Sequence, residues 1–333
     1  MKQYRSQLII GLVFLLCTIA IIIFYGSREK TYDPVSVTAF KLDTINTITS
    51  YDGTGEDILK QCFDICDKYE NIYSRTLESS ELFAVNHATH AKISEELGDL
   101  IKTGLTYCEL SNGAFDISIG GASSLWNFNT DKPSLPDAEL IAKALSTINY
   151  KDIKLEKVSD GWTIDIPKDM VIDLGAIAKG YIADKIKEFL VSKGATHVVI
   201  NLGHNILCIG GLNDYKDFTI GVQDPKGGTL ETLSINGMSV VSSGNYERSF
   251  TLDGKLYHHI LNPKTGYPCD NSLSQVTIIS DSSTRGDALS TVCFTLGLED
   301  GLALINSQDG VEALFCTKDG QKHYSDNFRK YIK

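Results

Sequence analysis

The chain has 333 residues with a hydrophobic content of 42%, which is ample for one large folded domain or two small ones. Its 31 Lys and Arg residues against 42 Asp and Glu residues give a formal net charge of −11, and this argues against a surface that binds a nucleic acid backbone. A polyanionic ligand would therefore need a local group of cations or a metal ion.

The N-terminal segment differs in composition from the rest of the chain. Residues 8–25 form an uncharged, strongly apolar run with basic residues on both sides, and its length lies within the roughly 17–25 residues that a helix needs to cross a bilayer. The sequence therefore predicts one N-terminal membrane helix within residues 1–30 and a folded domain over residues 31–333. A cleaved signal peptide is the alternative. We expect the basic N-terminus on the cytoplasmic side of the cell membrane and the folded domain on the extracytoplasmic side.

The rest of the chain shows the periodicities of both strands and helices. Strands are predicted over residues 35–51 as a pair, 153–157 and 162–166 as a hairpin, 171–173, 197–201, 218–223, 233–235, 239–242, 257–260, 274–280 and 311–317. Helices are predicted over residues 56–74, 93–110, 137–145, 176–192, 286–296 and 298–306, with a polar loop over residues 74–86. Because strands and helices do not alternate strictly, the pattern favours an α+β fold of mixed sheets with packed helices over a doubly wound sheet.

The eight cysteines show neither the spacing of a disulfide framework nor a Cys-x-x-Cys pair. Cys62 and Cys66 are four residues apart and could be metal ligands. Together with Leu59 and Tyr69, however, they lie on one apolar stripe of the helix predicted over residues 56–74. Core packing is therefore the favoured interpretation of this pair.

Residues 171–180 form an apolar strand that ends at Asp173 and turns through Gly175 into a helix with Lys179 near its start. The backbone N–H groups of a helix start attract anions, so this segment is typical of a phosphate site, with Asp173 available to a ribose hydroxyl, a base or a metal ion. An ordinary turn from a strand to a helix with a solvated lysine is the alternative.

Asp287 and Thr291 lie four residues apart at the start of a predicted helix, so a carboxylate and a hydroxyl share one face. Two hard oxygen atoms suit Mg²⁺, which also commonly binds substrate phosphates. The alternative is an aspartate favoured by the helix dipole, followed by a threonine that faces the core.

His258 and His259 come just before a strand end and a Pro–Gly turn. Strand alternation sends only one of the two side chains inward. A histidine can act as a general base near neutral pH, although a lone histidine is more often structural.

A glycine turn at Gly113 leads into Ala114, Phe115 and Asp116 and then towards Trp126. Aromatic side chains and a carboxylate beside a flexible turn could clamp a flat ring, and a loop packed on the core is the alternative.

Together these motifs resemble the FAD:protein FMN transferase family (ApbE-type flavin transferases), and the resemblance covers about residues 35–317. Seven motifs occur in the order of the family: Leu42-Asp43-Thr44, Ser80-Glu81-Leu82 with Asn86, Gly113-Ala114-Phe115-Asp116, the segment from Asp173 to Gly180, Ser243-Gly244-Asn245-Tyr246, the segment from His259 to Gly266, and Asp287-Ala288-Leu289-Ser290-Thr291. Two positions depart from the pattern: Thr76 stands where the family often has tyrosine, and His204 stands where it usually has a glycine.

The resemblance implies an ApbE-like α+β fold and a site for two ligands. It implies that Mg²⁺ is bound by Asp287, by Thr291 and by the backbone carbonyl of Ala176. It also implies contacts with FAD, which is the substrate, at Leu42, Thr76, Ala114, Phe115, Asp116, Asp173, Lys179 and Leu261. His259 is the candidate for taking a proton from the attacking hydroxyl group.

The activity that the resemblance implies is a Mg²⁺-dependent transfer of FMN from FAD, through a phosphoester bond, to a Thr or Ser of a target protein, with release of AMP. The expected partners are FAD, acceptor redox proteins, and the membrane through the N-terminal helix, with no nucleic acid. Two alternatives stay open: a pyrophosphatase that gives FMN and AMP, and a non-enzymatic FAD-binding protein.

Overall fold

An antiparallel sheet of eight strands runs through the domain. The computed structural model describes residues 32–128 and 132–333, and its strands, numbered along the chain, are β1 (Val35–Lys41), β2 (Thr44–Ser50), β3 (His90–Ile93), β4 (Lys154–Val158), β5 (Gly161–Asp165), β6 (Val198–Leu202), β7 (Asn205–Ile209), β8 (Phe218–Gln223), β9 (Thr229–Ile235), β10 (Ser239–Gly244), β11 (Ser249–Leu252), β12 (Lys255–His258), β13 (Leu273–Ser280), β14 (Val311–Thr317) and β15 (Lys322–Tyr324). The order in the large sheet is β1-β2-β6-β7-β10-β13-β14-β15, and smaller sheets are formed by β3-β5-β4, β8-β9 and β11-β12.

Helices cover one face of the large sheet. They are α1 (Glu56–Tyr73), α2 (Glu81–Asn86), α3 (Glu95–Leu110), α4 (Gly120–Ser123), α5 (Ala138–Leu145), α6 (Ala178–Ser192), α7 (Ser283–Leu296) and α8 (Leu298–Asn306). Helix α1 packs on β1, α6 on β6 and β7, and α7 on β10 and β13. The α+β class with packed helices predicted from the sequence is confirmed. The predicted mixed sheets are corrected, since every pairing between the named strands is antiparallel.

The pattern of burial explains the layers. All eight residues of β13 are buried, as expected for a central strand that is covered on both faces. In β8 buried and exposed residues alternate, and the β8–β9 hairpin places Phe218 and Leu233 in a second core with Val240 and Leu314 of the large sheet. This hairpin therefore covers part of the sheet face opposite the helices.

Gly180 allows α6 and α7 to approach each other closely. A Cβ atom at this position would lie 2.3 Å from the carbonyl oxygen of Ser283 and 2.8 Å from the Cβ of Asp287, which is too close for any side chain. The glycine therefore brings the start of α6 directly against the aspartate predicted to bind a metal ion.

Several sequence predictions are corrected by the structure. Residues 171–173 form only an isolated parallel bridge at Val171 and not a strand. The segment predicted as a polar loop contains α2, which is capped by the Ser80 hydroxyl accepting a hydrogen bond from the Phe83 N–H at 3.0 Å. The predicted helix over 93–110 begins two residues later, because 90–93 is strand β3. Helix α6 begins at Ala178 rather than Ala176. Strands β3, β7, β11 and β15 were not predicted.

The cysteines are buried in the core. Cys62 and Cys66 are fully buried on α1, which confirms core packing for this pair. The seven cysteines in the described part of the chain are all free and buried. Burial raises the pKa of the Cys62 thiol to about 12, so this thiol is unreactive at neutral pH.

The predicted membrane helix lies in residues 1–30, outside the described residues. Within residues 32–128 and 132–333, no helix is both long and apolar enough to cross a bilayer. The boundary predicted between residues 30 and 31 stays a prediction.

Candidate functional site

A cavity of about 510 Å³ opens between the β1–β2 hairpin, the starts of α6 and α7, and the loops after α1, α3 and β10. This volume is in the usual range for a cofactor-sized ligand. All twelve residues singled out in the sequence line its wall: Leu42, Thr76, Ala114, Phe115, Asp116, Asp173, Ala176, Lys179, His259, Leu261, Asp287 and Thr291. The structure therefore brings six of the seven motifs to one place, whereas Ser80-Glu81-Leu82 with Asn86 does not line the cavity. The role of each residue stays a prediction.

The tip of the β1–β2 hairpin forms one side of the cavity in a strained conformation. Leu42 and Asp43 have φ angles of 55° and 57°. These values lie in the left-handed region, which residues other than glycine rarely adopt. The amide of Asn46, which is fully buried, braces the turn by donating to the carbonyl oxygens of Lys41 at 2.7 Å and Thr44 at 3.2 Å. The fold thus holds Leu42 in the cavity wall at an energetic cost.

Asp173 is held in the wall by three hydrogen bonds. Its Oδ2 accepts from Nε of Arg75 and from the hydroxyl of Ser123, both at 2.9 Å, and its Oδ1 accepts from the Gly175 N–H at 2.9 Å. Arg75 also donates to the Ser124 hydroxyl at 2.8 Å. Arg75 was not singled out in the sequence, although it stands directly before Thr76.

Asp116 is also engaged within the protein. It is buried, its Oδ1 accepts from the Ser118 N–H at 2.8 Å and from the Ser118 hydroxyl at 2.6 Å, and its Oδ2 accepts from the Tyr150 N–H at 3.1 Å. These bonds fix the loop that carries Ala114 and Phe115. Any ligand must therefore share the oxygen atoms of Asp116 and Asp173 with the protein.

Asp287 is different, because only one of its oxygen atoms is satisfied. The side chain is 5% exposed, and its Oδ2 accepts from the Gly180 N–H at 2.8 Å. Its Oδ1 has no hydrogen-bond partner within the described residues. Burial raises the pKa of this carboxyl to about 6, against the opposing effects of Lys179 and the Gly180 N–H. A buried carboxylate with a free oxygen atom is suited to a cation ligand.

The donor set around Asp287 fits a magnesium ion. The Thr291 hydroxyl lies one turn further along α7, and Ser243 connects it at 3.3 Å to a hydroxyl network that continues to Ser290 at 2.7 Å. Ala176, whose backbone carbonyl is the third predicted ligand, also lines the cavity, and oxygen atoms are the ligands that Mg²⁺ prefers. Within residues 32–128 and 132–333, no group of three or more His, Cys, Asp or Glu side chains could hold a metal ion by themselves.

At the start of α6, the charged side chain of Lys179 is available to a ligand, whereas the backbone N–H groups are available only in part. The Gly180 N–H is committed to Asp287, so the predicted cradle of backbone N–H groups is in part used by the protein itself. Lys179 makes no hydrogen bond or ion pair with the other described residues. Its positive charge favours the ionised forms of Asp287 and Glu247, and it therefore opposes the effect of burial on the pKa of each. The Lys179 ammonium group is thus a cation of this wall that is available to a ligand.

The two adjacent histidines have different environments, as strand alternation predicts. His258 is 3% exposed, and its Nε2 lies 3.1 Å from the Cys269 carbonyl oxygen. His259 lines the cavity, and its Nδ1 is buried without a partner among the described residues. Burial lowers the pKa of both side chains to about 4. His259 is therefore neutral at pH 7 and able to accept a proton.

Glu247 and Arg248 also line the cavity, and the sequence reasoning missed them. The Arg248 guanidinium has no hydrogen bond or ion pair within the described part of the chain. Glu247 Oε1 lies 3.2 Å from Nδ1 of His204. Burial opposes ionisation of Glu247, but this bond and the charge of Lys179 hold its pKa below the usual value. Glu247 and Arg248 stand directly after the Ser243-Gly244-Asn245-Tyr246 motif, and this position is the signal in the sequence that could have identified them.

Aromatic side chains form another part of the cavity wall. The rings of Trp126 and Phe128 are stacked with centroids 5.5 Å apart, and Phe250 and Tyr257 pack beside them. The indole N–H of Trp126 donates to the Gly266 carbonyl at 2.9 Å. This cluster provides a flat apolar surface of the kind predicted near Gly113.

The chain is similar to known proteins over most of its length. The model of the ApbE family matches residues 42–315. An FAD:protein FMN transferase of Klebsiella pneumoniae is 35% identical over 270 residues, covering 79% of this chain and 83% of the relative. One from Treponema pallidum is 33% identical over 279 residues, covering 78% and 77%.

Solved structures agree with this similarity. The crystal structure of an ApbE protein from Thermotoga maritima has a TM-score of 0.83 at 28% identity and covers 90% of this chain and all of that one. The apo form of the flavinyl transferase ApbE from Pseudomonas stutzeri has a TM-score of 0.79 at 24% identity, covering 91% and 98%, and supports the fold alone.

Proposed function

The chain belongs to the ApbE family, and we propose that its cavity binds FAD with a magnesium ion and transfers FMN to a Thr or Ser hydroxyl of an acceptor protein. The chain is an FAD:protein FMN transferase like its curated relatives. The metal ion, the phosphoester bond and the type of acceptor residue are the proposed part. The observation that carries the metal ion is Asp287, a buried carboxylate with a free oxygen atom beside the unpaired cation of Lys179.

The charges of the cavity suit a pyrophosphate. Lys179 and Arg248 line it without ion pairs in the described part of the chain, so both are available to phosphate oxygen atoms. Asp287, Thr291 and the Ala176 carbonyl would hold magnesium. When bound, this ion supplies positive charge next to the phosphates, which lowers the energy of a phosphoryl-transfer transition state. The flat aromatic surface around Trp126 is suited to a ring of FAD.

The reaction replaces the phosphoanhydride bond of FAD with a phosphoester bond to the acceptor. The hydroxyl oxygen of the acceptor attacks the FMN-side phosphorus, the bond from this phosphorus to the bridging oxygen breaks, and AMP leaves with that oxygen. His259 accepts the proton of the attacking hydroxyl, because burial keeps its imidazole neutral at pH 7. Arg75, Ser123 and Gly175 hold Asp173 in place through hydrogen bonds.

We also propose that residues 1–30 anchor the domain to the cell membrane, with the domain on the extracytoplasmic side. The uncharged run over residues 8–25 supports the anchor, and the short basic N-terminus with Lys2 and Arg5 is the end expected in the cytoplasm. The acceptors would then be membrane or exported redox proteins within reach of the anchored domain.

The test of transfer uses the full chain in detergent with FAD and Mg²⁺. Membrane proteins from cells that lack this chain are added, separated on a denaturing gel and examined for flavin fluorescence. We expect a fluorescent acceptor that carries an FMN-sized mass increment on Thr or Ser, with one AMP released for each flavin attached. Release of free FMN and AMP without a labelled protein would indicate a pyrophosphatase. Bound FAD without any turnover would indicate a binding protein.

The role of His259 has a separate test. The variant His259→Gln removes the proton acceptor but retains an amide of similar size, so we expect the rate of transfer at saturating FAD to fall by about 10²- to 10⁴-fold. The affinity for FAD, measured by quenching of its fluorescence, should change by less than about threefold. A variant that transfers FMN at the wild-type rate would exclude His259 as the base.

A further inference from the structure

The outer face of the β1–β2 hairpin ends in an exposed apolar pair. Phe40 is 70% exposed and Ile45 is 65% exposed, and the two residues lie directly opposite each other in the strand register. Large apolar side chains that are exposed and adjacent are unusual on a soluble surface unless they meet a partner.

The other cross-strand pairs on this face show what a solvated surface looks like in the same hairpin. Ser36 and Thr49 share a hydrogen bond between their hydroxyls at 2.9 Å, and Thr38 and Thr47 share one at 3.0 Å. Within each of these two pairs, the hydroxyl groups satisfy each other's hydrogen bonding. The third pair, Phe40 with Ile45, lies nearest the turn and is apolar instead. All six side chains of the outer face are uncharged, so the surface suits a neutral partner.

The apolar pair is continuous with the cavity. The hairpin turn between the two residues consists of Lys41, Leu42, Asp43 and Thr44, and Leu42 and Asp43 line the cavity wall. Phe40 is two residues before Leu42, and Ile45 is two residues after Asp43, so the pair lies within about 7 Å of chain from the rim. A molecule that contacts the pair can reach into the cavity.

Strand β1 also offers backbone groups to a partner. It is the terminal strand of the large sheet, and within the described residues it pairs with β2 on one side only. The backbone groups of a free strand edge bind extended peptides by adding a strand, while neighbouring side chains select the sequence.

We propose that the Phe40–Ile45 pair and the free edge of β1 form the docking surface for an extended, uncharged segment of the acceptor protein, next to the residue that receives FMN. This inference depends on the proposed function, because a transferase to proteins must bind the acceptor at the rim of the cavity that holds FAD. An apolar side chain of the acceptor packs on Phe40 and Ile45, and the hydroxyl a few residues away passes Leu42 into the cavity.

The test changes the pair into another polar pair of the same hairpin. The variants Phe40→Ser, Ile45→Thr and the double variant reproduce the chemistry of the Ser36–Thr49 pair on the exposed face, so they should fold normally. Tyr215→Ser is the matched control, because Tyr215 is 82% exposed and does not line the cavity. The probes are the acceptor protein identified by FMN labelling and a synthetic peptide that spans its modified residue.

We expect the KM for the acceptor protein and for the peptide to rise at least tenfold in the double variant, with kcat for saturating acceptor within about twofold of wild type. The dissociation constant for FAD and the midpoint of thermal unfolding should be unchanged, and Tyr215→Ser should behave as wild type. An unchanged acceptor KM in the double variant would overturn the inference.

Two further outcomes are distinguishable from that result. Weaker FAD binding in the double variant would mean that the pair supports Leu42 rather than docking an acceptor, and would also overturn the inference. A dimer of the wild-type chain that the double variant abolishes would assign the pair to a second copy and overturn it too. If the wild-type chain binds FAD but labels no protein, the proposed function itself fails, and the docking surface fails with it.

Discussion

Two buried or half-buried aspartates, one at the cavity and one at the opposite end of the sheet, show how differently the fold treats the same side chain. Asp52, which follows β2, accepts from the Thr196 N–H at 2.6 Å, the His197 N–H at 2.9 Å and the Thr54 N–H at 2.9 Å, and from three hydroxyls. Although burial opposes ionisation, these donors hold the pKa of Asp52 far below its usual value. Asp287 has one donor and a raised pKa.

The comparison separates carboxylates that hold the fold together from one that is left available. Asp52 joins the end of β2 to the start of β6 and has no capacity left for a ligand. Around the cavity, Asp287, Lys179, Arg248 and His259 each keep polar atoms without partners in the described residues. These groups are therefore free to bond with a polar ligand that enters the cavity.

The largest effect should follow from removing the available carboxylate. We expect Asp287→Asn to lower the rate of FMN transfer by at least about 10³-fold, because the metal ligand is lost. The free energy of unfolding without metal should stay equal or rise, because an amide avoids burying a charge. Transfer rates at increasing Mg²⁺ and urea unfolding in EDTA measure the two effects. A variant that is unfolded, or one as active as wild type at ordinary Mg²⁺, would contradict this assignment of Asp287.

His258 extends the comparison to the core beside the cavity. Burial lowers its pKa to about 4, so the unfolded chain, with the usual value near 6.5, binds more protons between these pH values. The folded state is therefore fully stable above pH 6.5 and is destabilised as the pH falls towards 4.

We expect the stability difference between wild type and His258→Gln to shrink by roughly 2–3 kcal/mol between pH 7.5 and pH 4.5, since only the wild type must keep this imidazole neutral. Urea unfolding of both proteins at the two pH values measures the change. His259 titrates in the same range in both proteins, so its contribution cancels. A constant difference across this range would show that His258 is not held neutral by burial.

How far the sequence predicts this molecule depends on the type of contact. Helix α1 follows from periodicity because it has a long buried stripe, and strand β14 follows from a short, mostly apolar run whose seven residues are all buried. Segment 171–173 does not follow from it. The Asn86 side chain donates to the Ile172 carbonyl at 2.9 Å and accepts from the Ile172 N–H at 2.8 Å. A side chain thus takes the place of a strand partner, and local sequence patterns do not reveal that contact.

The candidate site likewise has features that the sequence reveals and contacts that it does not. The motifs that contain Asp173, His259 and Asp287 can be recognised along the chain, and the structure brings them to one cavity. What the sequence does not contain is the pairing of residues within that wall. The contact of Arg75 with Asp173 and that of Glu247 with His204 join residues 98 and 43 positions apart, and neither residue type alone predicts its partner.

The Asp52 corner gives the third prediction. Asp52→Asn exchanges an acceptor for an amide whose N–H₂ group cannot accept from Thr196, His197 or Thr54, so we expect the free energy of unfolding to fall by about 2 kcal/mol. FMN transfer per folded molecule should be unchanged, because the corner is not part of the cavity wall. Asp270→Asn is the control, since Asp270 is 84% exposed and should have almost no effect. Loss of transfer at full stability would contradict the separation of the two regions.

The smallest effect is expected for His204. This residue has a strained backbone and also contacts Glu247, which lines the cavity. Its φ angle is 69°, so His204→Gly relieves backbone strain while it removes the partner of Glu247. The hydrogen bond with Glu247 raises the pKa of His204. A raised pKa gives stability that is complete below the unfolded value near 6.5 and is lost as the pH rises through the folded value. The pair is half-exposed, so its effect is no more than a few tenths of a kcal/mol.

We therefore expect His204→Gly to be at least as stable as wild type at pH 8.5, because the ion pair is then absent and the strain is relieved. At pH 5.5 the advantage of the variant should be smaller or reversed, because wild-type His204 is charged and paired with Glu247. Thermal unfolding at the two pH values measures this difference. A wild-type advantage that grows with rising pH has the wrong sign for a charged His204. It would mean that Glu247 is positioned by the neutral imidazole, and that the rim of the cavity is held together without an ion pair.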